Sequence, residues 1–245
     1  MFNHTIVEVP VDATHALQSM LIDQGAAPLA APREVGRRLF TIRAADAFGE
    51  RSQANILVNR MYATRGYYSN SLLKDSSSNR ITLIAGEGDA LLGTITIGFD
   101  SPDGLLVDEL FRDEADALRR AGREVCEFTK LAIDRVVKSK RVLASLFHVA
   151  YAIAHRLNGI HDLLIEVNPR HIRYYQEMLG FEVSGMRRHN ERVNAPAVLL
   201  SLDLSHARRE IERLGGRPDL ASTERSLYPH FFSPDEEAGI VNRIQ

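Results

Sequence analysis

The fold of this chain is decided by residues 122–181. They read GREVCEFTKLAID (122–134), RVVKSKRVLASLFHVAYAIAHRLNG (135–159), IHDLLIEV (160–167) and NPRHIRYYQEMLGF (168–181). The first and third pieces are apolar runs typical of strands, and the second carries apolar residues at helical spacing. A strand, a crossover helix of about 18 residues and a second strand form a right-handed parallel βαβ unit. We therefore predict that strands 124–133 and 161–167 are adjacent and parallel, and that they part at their carboxyl ends to leave a cleft.

Glu127 breaks the apolar pattern in the middle of the first strand. Because side chains alternate along a strand, Glu127 is predicted to share one face with Thr129, Leu131 and Ile133, and Lys130 to point to the other face. Both faces are largely apolar, so Glu127 is desolvated. Its pKa is then raised, which suits it to accept a proton near neutral pH. The alternative is a structural carboxylate paired with Arg65 or another buried cation, and the strand by itself leaves both open.

Composition limits the class of protein. The chain has 245 residues, 44% of them hydrophobic, with a net charge of -2, so it can bury a full core and carries no global nucleic-acid signature. A single cysteine excludes a disulfide framework and a cysteine-based zinc site. His148, Tyr151 and His155 share a helical face, but no carboxylate spacing completes a metal site. The start, MFNHTIVEVPVD, has no signal-peptide pattern, and no apolar run is long enough to span a membrane. We expect a soluble cytoplasmic protein without a metal or a nucleic-acid partner.

The remaining elements indicate a mixed α/β fold. Strands are predicted at about 6–9, 38–43, 80–87, 91–99, 182–188 and 197–204, and helices at about 12–24, 47–62, 108–121, 206–214 and after Ser233. Gly88-Asp89 predicts a hairpin, and Ser233, Pro234 and Glu236 a capping box. The predicted sheet is mostly antiparallel with one splayed parallel pair at its centre. We divide the chain into an N-terminal accessory segment (1–32), a main domain (33–204) and a C-terminal helical extension (205–245).

The turn that follows the first central strand carries four cations and no glycine. These are Arg135, Lys138, Lys140 and Arg141. A turn that wraps a pyrophosphate needs glycines, and cations at a helix N-terminus oppose the macrodipole by roughly 0.3–1 kcal/mol each. The cluster is either a solvated charge run or the docking site of an anionic partner.

The segment that follows the second central strand holds the other candidates. Asn168 is a good N-cap and Pro169 belongs at the first helical position, so this helix start needs no function. Tyr174 is interpreted as a core aromatic. Tyr175 could donate a proton to a leaving thiolate, and His171 is either a second candidate or a plain surface residue.

These residues resemble a known family. The chain is similar to the long-chain N-acyl amino acid synthases, which have the acyltransferase fold of the GNAT superfamily, and more distantly to the acyl-homoserine lactone autoinducer synthases. The likeness spans about residues 37–204. It is carried by NRMYATRGYY (59–68), DGLLVDELFRDEADALRRAGREVCEFTKLAID (103–134), NPRHIRYYQEMLGFE (168–182) and APAVLLSLDL (195–204).

The resemblance implies transfer of a fatty acyl group from acyl carrier protein to the amine of an amino acid, with no bound cofactor. The donor rides on the carrier's phosphopantetheine. The E-x-S-R strand of the autoinducer synthases reads Glu127-Phe128-Thr129-Lys130 here, so Glu127 is the expected base. The expected catalytic set is Glu127, Tyr175 and His171. The expected substrate-binding set is Thr129, Lys130, Leu131, Asp108, Arg65 and Asn168. The acidic carrier is expected to dock on Arg135, Lys138, Lys140 and Arg141, and the acyl chain to run between Leu131, Ile133, Ile165 and Val167.

Two alternatives stay open. One is a GNAT-type acyltransferase that uses acyl-CoA on a small amine or a protein, which the missing glycines disfavour. The other is a non-catalytic module that binds acyl chains or a carrier protein. The acceptor, the chain length, the oligomeric state and a peripheral membrane contact through a lipid product are left undecided by the sequence.

Overall fold

The computed structural model describes residues 5–10, 39–45, 48–64, 79–134 and 140–245, with only the backbone of Phe48. Eight described strands form one sheet in the order β1-β2-β3-β4-β5-β6-β8-β7. The strands are β1 (Val7–Pro10), β2 (Leu39–Ala44), β3 (Arg80–Glu87), β4 (Ala90–Phe99), β5 (Val125–Ile133), β6 (Asp162–Val167), β7 (Glu182–Asn190) and β8 (Ala195–Asp203). The helices are α1 (Phe48–Ala63), α2 (Asp108–Arg120), α3 (Lys140–Tyr151), α4 (Ile172–Leu179), α5 (Leu204–Leu214) and α6 (Pro234–Ile244). Helix α3 continues as a π-helix (Ala152–Leu157), and short 3-10 turns cover Pro169–His171, Pro218–Ser222 and Tyr228–His230.

The central pair confirms the predicted topology. Strands β5 and β6 are parallel, and every other neighbouring pair of described strands is antiparallel. The β5–β6 register runs from Val125↔Asp162 to Glu127↔Leu164 and stops there, although both strands continue. The two strands therefore part at their carboxyl ends, as predicted.

A β-bulge in β5 overturns part of the predicted facing. Thr96 pairs with Thr129 and Thr94 pairs with Ala132, so two residues of β5 oppose one of β4. Lys130 takes up the extra residue with a φ of 52°, and the alternation reverses after it. Lys130 consequently reaches helix α1, where its Nζ lies 3.5 Å from Asn55 Oδ1. The prediction that Lys130 points away from the face of Glu127 was wrong.

Helices cover both faces of the sheet. Helix α3 and the C-terminal segment pack on one face through Leu146, Val149 and Phe231, together with apolar residues of β3 to β6 and β8. Helices α1 and α2 cover the other face, where Val58 and Phe111 are buried. We call these the α3 face and the α1–α2 face. Leu131 and Ile133 pack on the α3 face because of the bulge, opposite to the predicted side.

The predicted helix N-termini at Asn168 and Ser233 are confirmed. Asn168 Oδ1 accepts from the N–H of Arg170 at 3.2 Å, with Pro169 in the first turn. Ser233 and Glu236 form the predicted capping box of α6. The predicted helix at 12–24 and the polar segment at 65–78 lie outside the described residues. The division into three segments stays a prediction, although β1 and α6 both contribute to the core on the α3 face.

Candidate active site

A cavity of about 440 Å³ opens where β5 and β6 part. Its lining includes residues of both faces, so it passes through the sheet between the two strands. On the α3 face the lining is largely apolar and includes Ile95, Phe128, Leu131, Phe147, Ile165, Val167 and Tyr175. On the α1–α2 face it combines apolar residues such as Leu106, Val107 and Ala197 with the polar residues Glu109, Glu127, Lys130, Glu166, Asn190 and Arg192. One end thus suits a hydrocarbon chain and the other a charged group.

Glu127 lies at the point of separation and is fully buried. Its Oε1 accepts from Arg80 Nη2 and from the N–H of Leu106, and its Oε2 accepts from the N–H of Val107, all at 3.0 Å. Burial raises the pKa of Glu127 above its ordinary value, while these N–H groups and Arg80 act in the opposite direction. The buried cation foreseen as an alternative exists, but it is Arg80. The named candidate, Arg65, lies outside the described residues.

Two glycines of this region lie against carboxylates and leave no room for a side chain of their own. A Cβ on Gly98 of β4 would come within 2.9 Å of Glu127 Cγ and Oε1. Gly104 has a φ of 76°, and a Cβ there would lie 2.6 Å from Asp108 Oδ2. The loop between Gly104 and α2 is thereby turned so that two of its N–H groups reach Glu127.

Asp108 holds that loop. It is buried, and its Oδ2 accepts from the N–H of Leu105 at 2.8 Å and from Arg119 Nη2 at 2.9 Å. Arg119 also binds Asp100 and Asp116, so the group forms a closed ionic network. Asp108 does not line the cavity. Its position gives it a structural role and does not support the predicted role in substrate binding.

A second, largely buried carboxylate faces the same cavity. Glu166 of β6 accepts from Asn190 Nδ2 at 2.5 Å and from Arg192 Nη2 at 2.9 Å. Burial raises the pKa of Glu166, and the negative charge of Glu127 adds to that shift against the opposing effect of Arg192. Asn190 ends β7 and Arg192 lies in the turn to β8, so this turn closes the polar end of the cavity.

The predicted residues near the split are brought together. Thr129, Lys130, Leu131, Asn168, His171 and Tyr175 all line the cavity. Thr129 Oγ1 is buried without a hydrogen-bond partner among the described residues. His171 Nε2 accepts from Arg170 Nε at 3.2 Å, which requires that nitrogen to be unprotonated. Tyr175 packs edge-on against Phe181, with ring centroids 5.7 Å apart.

Other predicted residues lie elsewhere. Ile133, which was predicted to lie beside an acyl chain, does not line the cavity, whereas Leu131, Ile165 and Val167 do. Lys140 is exposed and begins α3, and Arg141 follows it partly buried. Arg135 and Lys138 fall outside the described residues.

Several polar residues of the site were not predicted from the sequence, among them Glu166, Arg80 and Arg192. Glu166 carried the same signal as Glu127, a carboxylate inside an apolar strand, but LLIEV was treated only as an apolar run. Arg80 and Arg192 carried no local signal, because each reaches the site from a segment distant in sequence.

Comparison with known proteins defines the class. The sheet of this chain, with its split parallel pair, has the GNAT acyltransferase fold. A Lactobacillus plantarum protein described as an N-acetyltransferase aligns with a TM-score of 0.50 at 14% identity over 67% of this chain and 98% of its own. Escherichia coli ElaA aligns with a TM-score of 0.50 at 8% identity over 67% and 99%. These two likenesses concern the fold alone.

Within this fold, the comparisons also identify the family of the chain. The family model of the N-acyl amino acid synthase FeeM matches residues 53–203, and the chain belongs to that family. The structure of FeeM, an N-acyl amino acid synthase from uncultured soil microbes, aligns with a TM-score of 0.64 at 30% identity. The alignment covers 69% of this chain and 93% of FeeM. The comparison with curated protein sequences found no match.

No group of three or more His, Cys, Asp or Glu side chains among the described residues could hold a metal ion. No described helix is both long enough and apolar enough to cross a membrane.

Proposed function

We propose that this N-acyltransferase transfers a long fatty acyl group from acyl carrier protein to the amine of a free amino acid. The observation that carries the proposal is the cavity through the split sheet, apolar on the α3 face and charged on the α1–α2 face. A fatty chain suits the first environment and an amino acid the second. Membership of the FeeM family supports the same reaction.

The reaction is direct aminolysis of a thioester. The acceptor arrives as an ammonium ion and loses a proton to Glu127, directly or through one water. The free amine then attacks the thioester carbonyl carbon and forms the C–N bond, the nitrogen releases its second proton to water, and the C–S bond breaks. The thiolate leaves and takes a proton from Tyr175, although a thiol pKa near 8.5 makes this help optional.

Glu127 fits the role of base by its position. A carboxylate offers about four acceptor sites, and the described contacts use three of them. The remaining site is available to an amine or a water in the cavity. His171, which also lines the cavity, is the second candidate.

The negative charge that develops on the carbonyl oxygen when the amine attacks must be stabilised by hydrogen-bond donors. Beyond Glu127, β5 pairs with no described strand on its β6 side, so N–H groups along this edge are directed into the split. Thr129 Oγ1 is a further donor, because it is buried and has no partner among the described residues. We assign Thr129 to the carbonyl oxygen and Lys130, Leu131 and Asn168 to substrate contact.

The decisive experiment combines purified enzyme, dodecanoyl-loaded acyl carrier protein and a pool of the twenty proteinogenic L-amino acids, with mass spectrometry of the products. We expect N-dodecanoyl amino acids and free carrier thiol in equal amounts. Lipid extracts of overexpressing cells should contain the same compounds. Faster turnover with dodecanoyl-CoA would overturn the carrier assignment, and acylation of no amino acid would overturn the function.

A further inference from the structure

The polar end of the cavity holds a negative and a positive group side by side. Glu166 has 13% of its side chain exposed and Arg192 has 23%, and the two are bonded at 2.9 Å. Both line the cavity, together with Glu127. An ion pair that only fastened the β7–β8 turn would not need to face a cavity.

The turn is already fastened by another arginine. Arg188 of β7 donates to both carboxylate oxygens of Glu114 on α2 and to the carbonyl oxygen of Leu110. Neither Arg188 nor Glu114 lines the cavity. The β7–β8 turn thus has a structural anchor that does not involve Arg192. Anchoring of the turn therefore does not explain why Glu166 and Arg192 form an ion pair at the cavity.

Two buried carboxylates at one cavity are also unfavourable without a cation between them. Glu127 and Glu166 repel each other, and each has lost most of its hydration. Arg80 and Arg192 offset part of this cost by donating to Glu127 and to Glu166. A substrate ammonium in the cavity would supply the missing positive charge.

Arg192 keeps donor capacity toward the cavity. Its contacts with described residues engage Nη2, with Glu166, and Nε, with Glu109 at 3.0 Å. Glu109 has 54% of its side chain exposed, so this outer pair is weak and exchangeable. A substrate carboxylate can bind at Nη1 or take the place of Glu109, with the paired geometry that a guanidinium favours.

We propose that Glu166 and Arg192 recognise the two charges of a free α-amino acid, Glu166 taking the ammonium and Arg192 the α-carboxylate. This inference rests on the proposed function and names its acceptor class. It follows that the enzyme selects free amino acids over amines that lack a carboxylate. Glu166 and Arg192 act as binding and specificity residues, and the proton transfer stays with Glu127.

The test compares each amino acid with the amine that lacks its carboxylate. Wild-type, Arg192→Gln and Arg188→Gln enzymes are assayed with L-leucine against 3-methylbutylamine and with L-phenylalanine against 2-phenylethylamine, with a dodecanoyl thioester as donor. We expect the wild type to favour the amino acid by about 10–100-fold in kcat/KM, the range that one charge-assisted contact supplies. Arg192→Gln should reduce this preference to a few-fold through the KM of the amino acid, whereas Arg188→Gln should keep it.

Glu166→Gln tests the proposed recognition of the substrate ammonium. It should raise the KM of the amino acid and of the amine alike, because both carry the ammonium. An unchanged preference in Arg192→Gln, an unchanged amine KM in Glu166→Gln, or a wild type without preference would each overturn the inference while acyl transfer itself stands. A wild type that acylates neither kind of acceptor would overturn the proposed function as well.

Discussion

Glu127 combines two properties that usually exclude each other. It is fully buried, which raises its pKa, and it is held by three donors, which stabilise the ionised form. A purely structural carboxylate would need the donors but not the cavity beside it. Burial makes Glu127 a stronger base than an exposed carboxylate, and the donors fix its direction.

Replacing Glu127 by Gln should separate the two roles. The amide keeps the size and an acceptor oxygen but is no longer a base, so kcat at neutral pH should fall by about 10²–10⁴-fold. Activity should partly recover as pH rises, because the acceptor amine then deprotonates unaided. The measurement is a pH–rate profile of acyl transfer, with Glu114→Gln as the matched variant outside the cavity. A lower melting temperature with near-normal turnover would instead mark Glu127 as structural and move the assignment to His171.

At the scale of elements, the start of α3 is unusual. Lys140 is its first residue, exposed, and no acidic residue lies in the first turn. A cation there opposes the helix macrodipole, so the helix would be more stable with an acid. An anionic partner would explain this choice, and acyl carrier protein is acidic.

Lys140→Glu therefore has opposite expected effects on stability and on donor use. The melting temperature should hold or rise slightly, since the new charge is worth roughly 0.3–1 kcal/mol at a helix N-terminus. The kcat/KM for acyl carrier protein should fall, most strongly at low salt where exposed charges are least screened. The kcat/KM for a small acyl-pantetheine thioester should not change. Arg209→Glu on α5, also exposed, is the control; an equal loss in both variants would argue against a carrier site at α3.

Helix α6 is docked through a buried histidine. His148 Nδ1 accepts from the N–H of Phe232 at 3.0 Å, and Nε2 donates to Glu237 Oε2 at 2.8 Å. Burial lowers the pKa of His148 despite the neighbouring Glu237, and the Phe232 bond also requires Nδ1 to be unprotonated. His148 is thus neutral in the folded protein.

This histidine predicts a loss of stability in mild acid. Because its pKa is lower folded than unfolded, the unfolded chain binds the proton first, and stability falls as pH drops below about 6.5. The pKa of Glu237 is lowered too, but its effect is lost only below about 4.5 and lies outside this range. Urea unfolding at pH 7.5, 6.5 and 5.5 measures the free energy of unfolding at each pH. We expect His148→Gln to reduce its decrease between pH 7.5 and 5.5, and His189→Gln, at an exposed site, to leave that decrease unchanged. The same decrease in the wild type and in both variants would contradict a role of His148 in the pH dependence of stability.

At the scale of the whole molecule, the proposed function assigns the two substrates to opposite faces of the split sheet. It places the acyl chain on the α3 face, the acceptor on the α1–α2 face, and the thioester between β5 and β6, where the cavity passes through the sheet. Phe147 of α3 limits the apolar end together with Phe128, their ring centroids being 6.1 Å apart.

Phe147→Leu should shift acyl preference toward longer chains, because it shortens the side chain at the apolar end. Ile165→Phe should shift it toward shorter chains by filling the same space. Mixed acyl-carrier substrates of different lengths, competed in one reaction and analysed by mass spectrometry, measure the change. Phe111→Leu is a buried control that does not line the cavity, with a similar stability cost of about 1 kcal/mol. If Phe111→Leu moved the preference as much as Phe147→Leu, the apolar end would not be the acyl channel.

The sequence alone determined the elements and their order. Apolar runs gave β5 and β6, helical spacing gave α3, and Asn168 and Ser233 marked helix starts, because propensity, periodicity and capping are local properties. Glu127 was also found locally, since a carboxylate in an apolar strand is costly wherever that strand lies.

The tertiary structure alone decided how the site is assembled. Arg80 reaches Glu127 from 47 residues away, and Arg192 reaches Glu166 from 26. Such long-range pairs leave no trace in local spacing. The bulge at Lys130 is likewise set by the register against β4, and it reverses the faces that strict alternation predicts. Which side chains line the cavity therefore depends on strand pairing, a property that the sequence of β5 does not contain.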